Sequence, residues 1–90
     1  MRVARRYLVR GRVQGVGFRY FTQAAALRAG VGGWVRNHPD GTVEIAVTGE
    51  ADAVALLEQE IRRGPPGARV DQVVVSEDAS GIAHTEFAIR

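Results

Sequence analysis

Gly11-Arg12-Val13-Gln14-Gly15-Val16-Gly17-Phe18-Arg19-Tyr20 is the stretch from which the rest of the chain can be read. A strand-type run ends near Val13 and a helix-type run begins near Arg19. Between them stand two glycines one residue apart. Glycine lets successive main-chain N–H groups turn inward, and an incoming helix adds its own unpaired N–H groups and positive end. An arginine at that point contributes a planar fork of donors that matches phosphate or carboxylate. The stretch therefore reads as strand, anion cradle, helix.

Working outward from it, residues 3–13 form the first expected strand. Tyr7, Val9 and Val13 fall on one face, with Arg6, Arg10 and Arg12 on the other beside Leu8. A helix is expected over 19–29, with Phe21, Ala24, Ala25 and Arg28 at helical spacing and Gly30 as the residue that ends it. Val31 to His38 reads as a second strand, in which Gly32 and Gly33 suggest a kink or bulge. Pro39-Asp40-Gly41 is a turn signal, and Thr42 to Thr48 a third strand with Val43, Ile45 and Val47 inward. A second helix over 51–63 buries Val54, Leu57 and Ile61 and is stopped by Gly64-Pro65-Pro66-Gly67. Val70 to Glu77 is a fourth strand and Thr85 to Ile89 a short fifth.

The order is β-α-β-β-α-β with an appended strand. It predicts an α+β, ferredoxin-like sandwich: a mostly antiparallel sheet, two helices on one face and a short extra C-terminal strand. Crossover rules make strands one and two parallel, with strand three between them. The loop after strand one and Asn37 near the end of strand two then share one end of the sheet. If Val35 faces the helices, strand alternation carries Asn37 toward the side where the first helix begins.

Ninety residues are expected to make a single domain spanning 1–90. No cysteine is present, which excludes disulfides, thiolate nucleophiles and cysteine-ligated metals. No run approaches the ~20 apolar residues of a membrane span. A cytoplasmic protein without membrane attachment is the expectation. The net charge of +2 conceals an asymmetry: residues 1–39 hold eight arginines and no acid, residues 40–90 four arginines and all ten acids. That bias suggests an anionic ligand near the N-terminal part.

The absences narrow the chemistry. There is no GxxxxGK[ST] phosphate loop, and Gly15-Val16-Gly17 lacks the third glycine of a dinucleotide fingerprint. Ser76 and Ser80 have no spacing to His38 or His84 that suggests a catalytic triad, and two histidines without clustered acids make a poor metal site. An amide-lined loop, Arg19 and the neutral Asn37 remain. Such a set can bind a phosphoryl group and stabilise its oxygens. With neither metal nor strong base, the substrate should bring its own activation. A mixed anhydride of a carboxylic and phosphoric acid does so, because its leaving carboxylate needs no proton. Water would be the nucleophile, oriented by the Asn37 amide, with a substrate phosphate oxygen as a candidate for its proton.

Gly11 to Arg19, followed by Gly33-Trp34-Val35-Arg36-Asn37, closely resembles the two signature segments of the acylphosphatase family. The resemblance extends to Gly41-Thr42-Val43, to Gly64 through Val70, and to Phe87-Ala88-Ile89. It implies hydrolysis of acyl phosphates to carboxylate and inorganic phosphate, with no metal, cofactor or covalent intermediate. By the resemblance, the phosphate-binding loop falls on Gln14, Gly15, Val16, Gly17, Phe18 and Arg19. The catalytic residues fall on Arg19, which binds the phosphate, and Asn37, which orients the water. The expected partners are a small acyl phosphate and, as competing anions, inorganic phosphate or sulfate. A monomer is expected.

Two other classes remain. RNA-recognition modules share this topology but stack bases on open-face aromatics. Here that face offers Arg6, Arg10, Arg12 and Arg36, with Trp34 as its one large aromatic candidate, which makes nucleic acid an unexpected partner. A non-catalytic carbamoyl-phosphate-binding module within a larger maturation enzyme is the other, and the 90-residue length weighs against it.

Overall fold

A computed structural model describes every residue from Met1 to Arg90. The elements run β1 (Arg2–Arg12), α1 (Phe18–Ala29), β2 (Gly32–Asn37), β3 (Val43–Glu50), α2 (Ala51–Arg63), β4 (Arg69–Glu77) and β5 (Phe87–Ile89). They form a five-stranded sheet in the order β4-β1-β3-β2-β5. β3 pairs antiparallel with both β1 and β2, so β1 and β2 point the same way, as the crossover rule requires. β4 pairs antiparallel with β1, and β5 runs parallel to β2 at the far edge.

The core lies between the sheet and the helices. Tyr7, Val9 and Val13 from β1 and its exit meet Val35, Val43, Ile45 and Val47 from the central strands. Val54, Leu57 and Ile61 close it from α2, as the helical spacing anticipated. Each such side chain contributes about 1.5–3 kcal/mol on burial. α1 departs from its expected stripe. It begins at Phe18, one residue early, and its buried residues are Phe18, Thr22, Ala25 and Ala26, while Arg28 is exposed. Thr22 is tolerated inside because its hydroxyl donates to the Phe18 carbonyl at 2.8 Å. The helix thus sits close to the sheet on small residues.

No bulge interrupts β2. Its register with β3 is continuous from Gly32 to Asn37. Gly33 is there for another reason: with φ at 149°, a Cβ at that position would lie 1.8 Å from the Ala46 carbonyl oxygen. The irregularity falls between Arg10 and Gly11, where β1 shifts register against β4.

The opposite sheet face is covered by polar side chains rather than helices. Trp34 lies flat there, 6% exposed. The guanidiniums of Arg90, Arg36 and Arg6 sit 4.9, 5.1 and 5.4 Å from its ring centroid. At the lower end the chain between β4 and β5 crosses this face: the His84 amide donates to the Thr48 hydroxyl at 2.9 Å. β3 is consequently buried on both sides.

Candidate functional site

β1 ends at Arg12, and the chain turns through Gly15 and Gly17, with φ of 74° and 76°. Both are left-handed conformations that cost a residue with a Cβ roughly 1–2 kcal/mol. Gly17 is also the N-cap of α1 and provides no side chain to occupy the helix start. The first intrahelical bond runs from the Phe21 amide to the Gly17 carbonyl at 3.0 Å. The amides before it have no helical acceptor, and those of Gly15, Val16 and Gly17 donate to no protein group. A short arc of unpaired donors therefore sits on the positive end of α1.

The side chains of this loop divide the labour. Phe18 is 2% exposed and packs in the core, where it anchors the helix start. Val16 packs partly against the same core. What these two residues leave open at the loop surface is the main chain. Gln14 points across to the β2–β3 turn, and its amide nitrogen donates to the carbonyls of His38 at 2.7 Å and Thr42 at 2.9 Å. Both its N–H bonds are thereby used, so Gln14 is a strut between the loop and the hairpin.

Arg19, in the first turn of α1, donates from Nη1 to the Arg90 carbonyl at 3.1 Å. Arg90 in turn donates its amide to the Val35 carbonyl at 2.8 Å. The guanidinium is thus tethered beside β2, with its remaining donors free. Asn37 lies at the end of β2, on the face of Val35, and its exposed carboxamide has no partner within the protein. The Gln14 strut grips the residue just after Asn37, and the Arg19–Arg90 link grips β2 two residues before it. The loop, Arg19 and Asn37 are therefore brought to one end of the sheet by named bonds on both sides of Asn37.

Three contributors escape a reading of the sequence. Arg90 acts through its main chain, and nothing in residue type signals that. The Thr42 hydroxyl and amide both donate to Asp40, at 2.7 and 3.0 Å, and shape the turn. These hydrogen bonds, the hydroxyl's foremost, hold the Asp40 carboxyl below its ordinary range. His38 lies within 2.6 Å of Glu44 through Nε2. Strand alternation puts Trp34, Arg36 and His38 on one face with Glu44, and that periodicity was the available signal.

The basic open face also resolves differently from a nucleic-acid platform. Arg6 and Arg36 are engaged with Glu44, Arg6 also with Asp78, and Trp34 is roofed by guanidiniums. No exposed aromatic ring is left there for a base.

A glycine-rich loop with unpaired amides at a helix start, on a ferredoxin-like sheet, is an arrangement suited to a phosphoryl group. Comparison with known proteins narrows this. The profile of the acylphosphatase family matches residues 5–89. An acylphosphatase of Nitrobacter hamburgensis is 53% identical over 88 residues, covering 98% of this chain and 86% of that protein. The crystal structure of acylphosphatase from Bacillus subtilis superposes with a TM-score of 0.93 at 40% identity, covering 100% of this chain and 99% of that one. T. kodakarensis HypF superposes with a TM-score of 0.81 at 31% identity, and there the match spans 12% of the larger chain. The chain belongs to the acylphosphatase family, and its function is that of an acyl phosphate hydrolase.

Proposed function

We propose that Arg19 and Asn37 carry this hydrolysis and that Gln14 to Arg19 form its phosphate-binding loop. The phosphoryl oxygens sit on the loop amides and the Arg19 guanidinium. The Asn37 carboxamide orients a water in line with the leaving carboxylate. The water oxygen bonds to phosphorus as the bond from phosphorus to the carboxyl oxygen breaks. The acyl part departs as a carboxylate, and both water protons end on inorganic phosphate. The protein supplies position and charge stabilisation, which is most of what such a transfer needs.

The observation that carries this reading is the pair of tethers, Gln14 to the His38 carbonyl and Arg19 to the Arg90 carbonyl, which bracket Asn37. Arg19→Ala and Asn37→Ala should each lower kcat/KM on acetyl phosphate by at least ~10²-fold, the usual cost of losing one preorganised electrostatic group. Full activity in either variant removes that residue from the assignment. Melting curves measured alongside should change little for Asn37→Ala, since its carboxamide has no partner. Inorganic phosphate or sulfate should compete with substrate, and non-competitive behaviour contradicts the loop as the anion site. The reading includes one domain over 1–90, a cytoplasmic location, which suits a chain without cysteine, and a monomer. A sedimentation measurement that returns twice the 9.7 kDa mass would reject the monomer.

A further inference from the structure

The residue after Asn37 is a histidine whose ring and main chain are both committed. Strand alternation returns His38 to the open face, beside Arg36 and across from Glu44. Glu44 is 8% exposed and gathers three donors from two arginines. Its Oε1 accepts from Arg36 Nε at 3.1 Å and Nη2 at 3.0 Å, and its Oε2 from Arg6 Nη1 at 2.9 Å. Burial pushes the Glu44 carboxyl up, but the bonds from His38 and Arg36 and the charges of Arg36 and Arg6 together outweigh it and hold it below its ordinary value. It is therefore a carboxylate and can only accept, so the His38 Nε2 at 2.6 Å carries a hydrogen and donates.

The main chain of His38 faces two other ways. Its amide donates to the Thr42 carbonyl at 2.9 Å, and its own carbonyl accepts from Gly41 at 3.1 Å and from the Gln14 side chain at 2.7 Å. One residue thus joins the open-face carboxylate, the hairpin turn and the anion loop. Asn37, directly before it, is held by backbone pairing to Val43 and by nothing at its side chain.

We propose that His38 is a positioning residue for hydrolysis: its Nε2–Glu44 bond fixes the peptide between Asn37 and the Gln14 strut, and so sets where the Asn37 carboxamide stands over the anion loop. The inference rests on the reading of Asn37 given above. Glu44 is a buried, rigid anchor because two arginines clamp it from β1 and β2. A turn without that anchor keeps its main-chain bonds but gains freedom to rotate about them. A displacement near 1 Å at a reacting group is enough to cost up to about 10²-fold in rate.

The test is a set of variants assayed with acetyl phosphate, with inorganic phosphate as competing anion. His38→Ala should lower kcat by about 10- to 100-fold and leave KM and the phosphate inhibition constant within about two-fold, because the loop amides and Arg19 are untouched. His38→Gln, whose amide nitrogen overlays Nε2 and can donate to Glu44, should recover most of kcat. His38→Asn, whose amide nitrogen falls short at the Nδ1 position, should not. In an Asn37→Ala background, His38→Ala should add less than about two-fold, since the two changes act on one step. Multiplying losses in that double variant, or equal activity of the Gln and Asn variants, overturns the proposal. Full kcat in His38→Ala with a large loss in Asn37→Ala overturns the positioning role and leaves the reading of Asn37 standing. Full kcat in Asn37→Ala removes both.

Discussion

At the scale of single residues, two glycines share a positive φ but differ in what a side chain would meet. Gly17 has a φ of 76° and open space where a Cβ would go. Gly33 has a carbonyl oxygen 1.8 Å from that point. Gly17→Ala should therefore cost only the backbone penalty, roughly 1–2 kcal/mol in chemical denaturation, while its effect on activity is larger because the loop amides change direction. Gly33→Ala should cost about 3 kcal/mol by forcing β2 from β3, with catalysis falling only as folded protein is lost. Equal destabilisation by the two changes would contradict this distinction. The glycines were legible as a pair of turn residues and a pair of strand-weakening residues. Which kind of constraint each obeys depends on the neighbour across the ladder, and no local pattern names that neighbour. Arg19 and Asn37 were legible for the opposite reason: strand and helix periodicity alone carry them to one end of a sheet whose crossovers have a fixed hand.

At the scale of elements, α2 and β3 follow their patterns closely: α2 buries one apolar stripe, and β3 turns Val43, Ile45 and Val47 to the helices while its other face is closed by polar side chains. α1 does not, because its alanines leave several faces equally suited to packing, and its contacts with α2, β2 and β5 choose among them. β5 is the weakest element. It has three residues and an edge position, and it is held by β2 and by a bond from Gln23 Nε2 on α1 to the Phe87 carbonyl at 3.1 Å. Removing that bond in Gln23→Ala should cost about 1 kcal/mol. The loss should be local: hydrogen exchange at Gly33 and Arg90, whose amides donate to the Glu86 and Val35 carbonyls, should speed up while that of β1 and β3 stays slow. Because Arg90 also holds Arg19, a modest fall in kcat/KM should accompany the faster exchange. Unchanged exchange at both amides would show that β5 does not depend on α1. The edge pairing of β5 was not readable beforehand, since three residues of alternating pattern fit either edge and either direction.

At the scale of the whole molecule, charge is distributed to close the helix-free face. Arg6 on β1, Arg36 and His38 on and beside β2, Glu44 on β3 and Asp78 after β4 form one connected group over Trp34. At Asp78, burial raises the carboxyl, and bonds from Ser80 with the Arg6 charge outweigh that and lower it. Both native carboxyls thus titrate below their ordinary values of 4.5 for Glu44 and 3.8 for Asp78. A depressed native pKa contributes stability that is present above the ordinary value and lost as pH falls through the native one. The melting temperature should accordingly be level above pH 4.5 as far as Glu44 is concerned, and fall below it. Glu44→Gln should melt lower at neutral pH and decline less steeply in acid. Parallel acid profiles for the two proteins would place the lost stability elsewhere. By itself, the sequence determined the element order, the parallel β1 and β2, the glycine loop between β1 and α1, and the presence of Arg19 and Asn37 at one sheet end. Those follow from periodicity, turn chemistry and the handedness of crossovers, which are properties of adjacent residues. The tertiary structure alone decided that Gln14 braces the loop, that Arg90 holds Arg19, and that Glu44 gathers Arg6, Arg36 and His38. Each of these joins residues far apart in the chain, except for the short reach within the β2–β3 hairpin, and their meeting is set by sheet register and packing rather than by residue type.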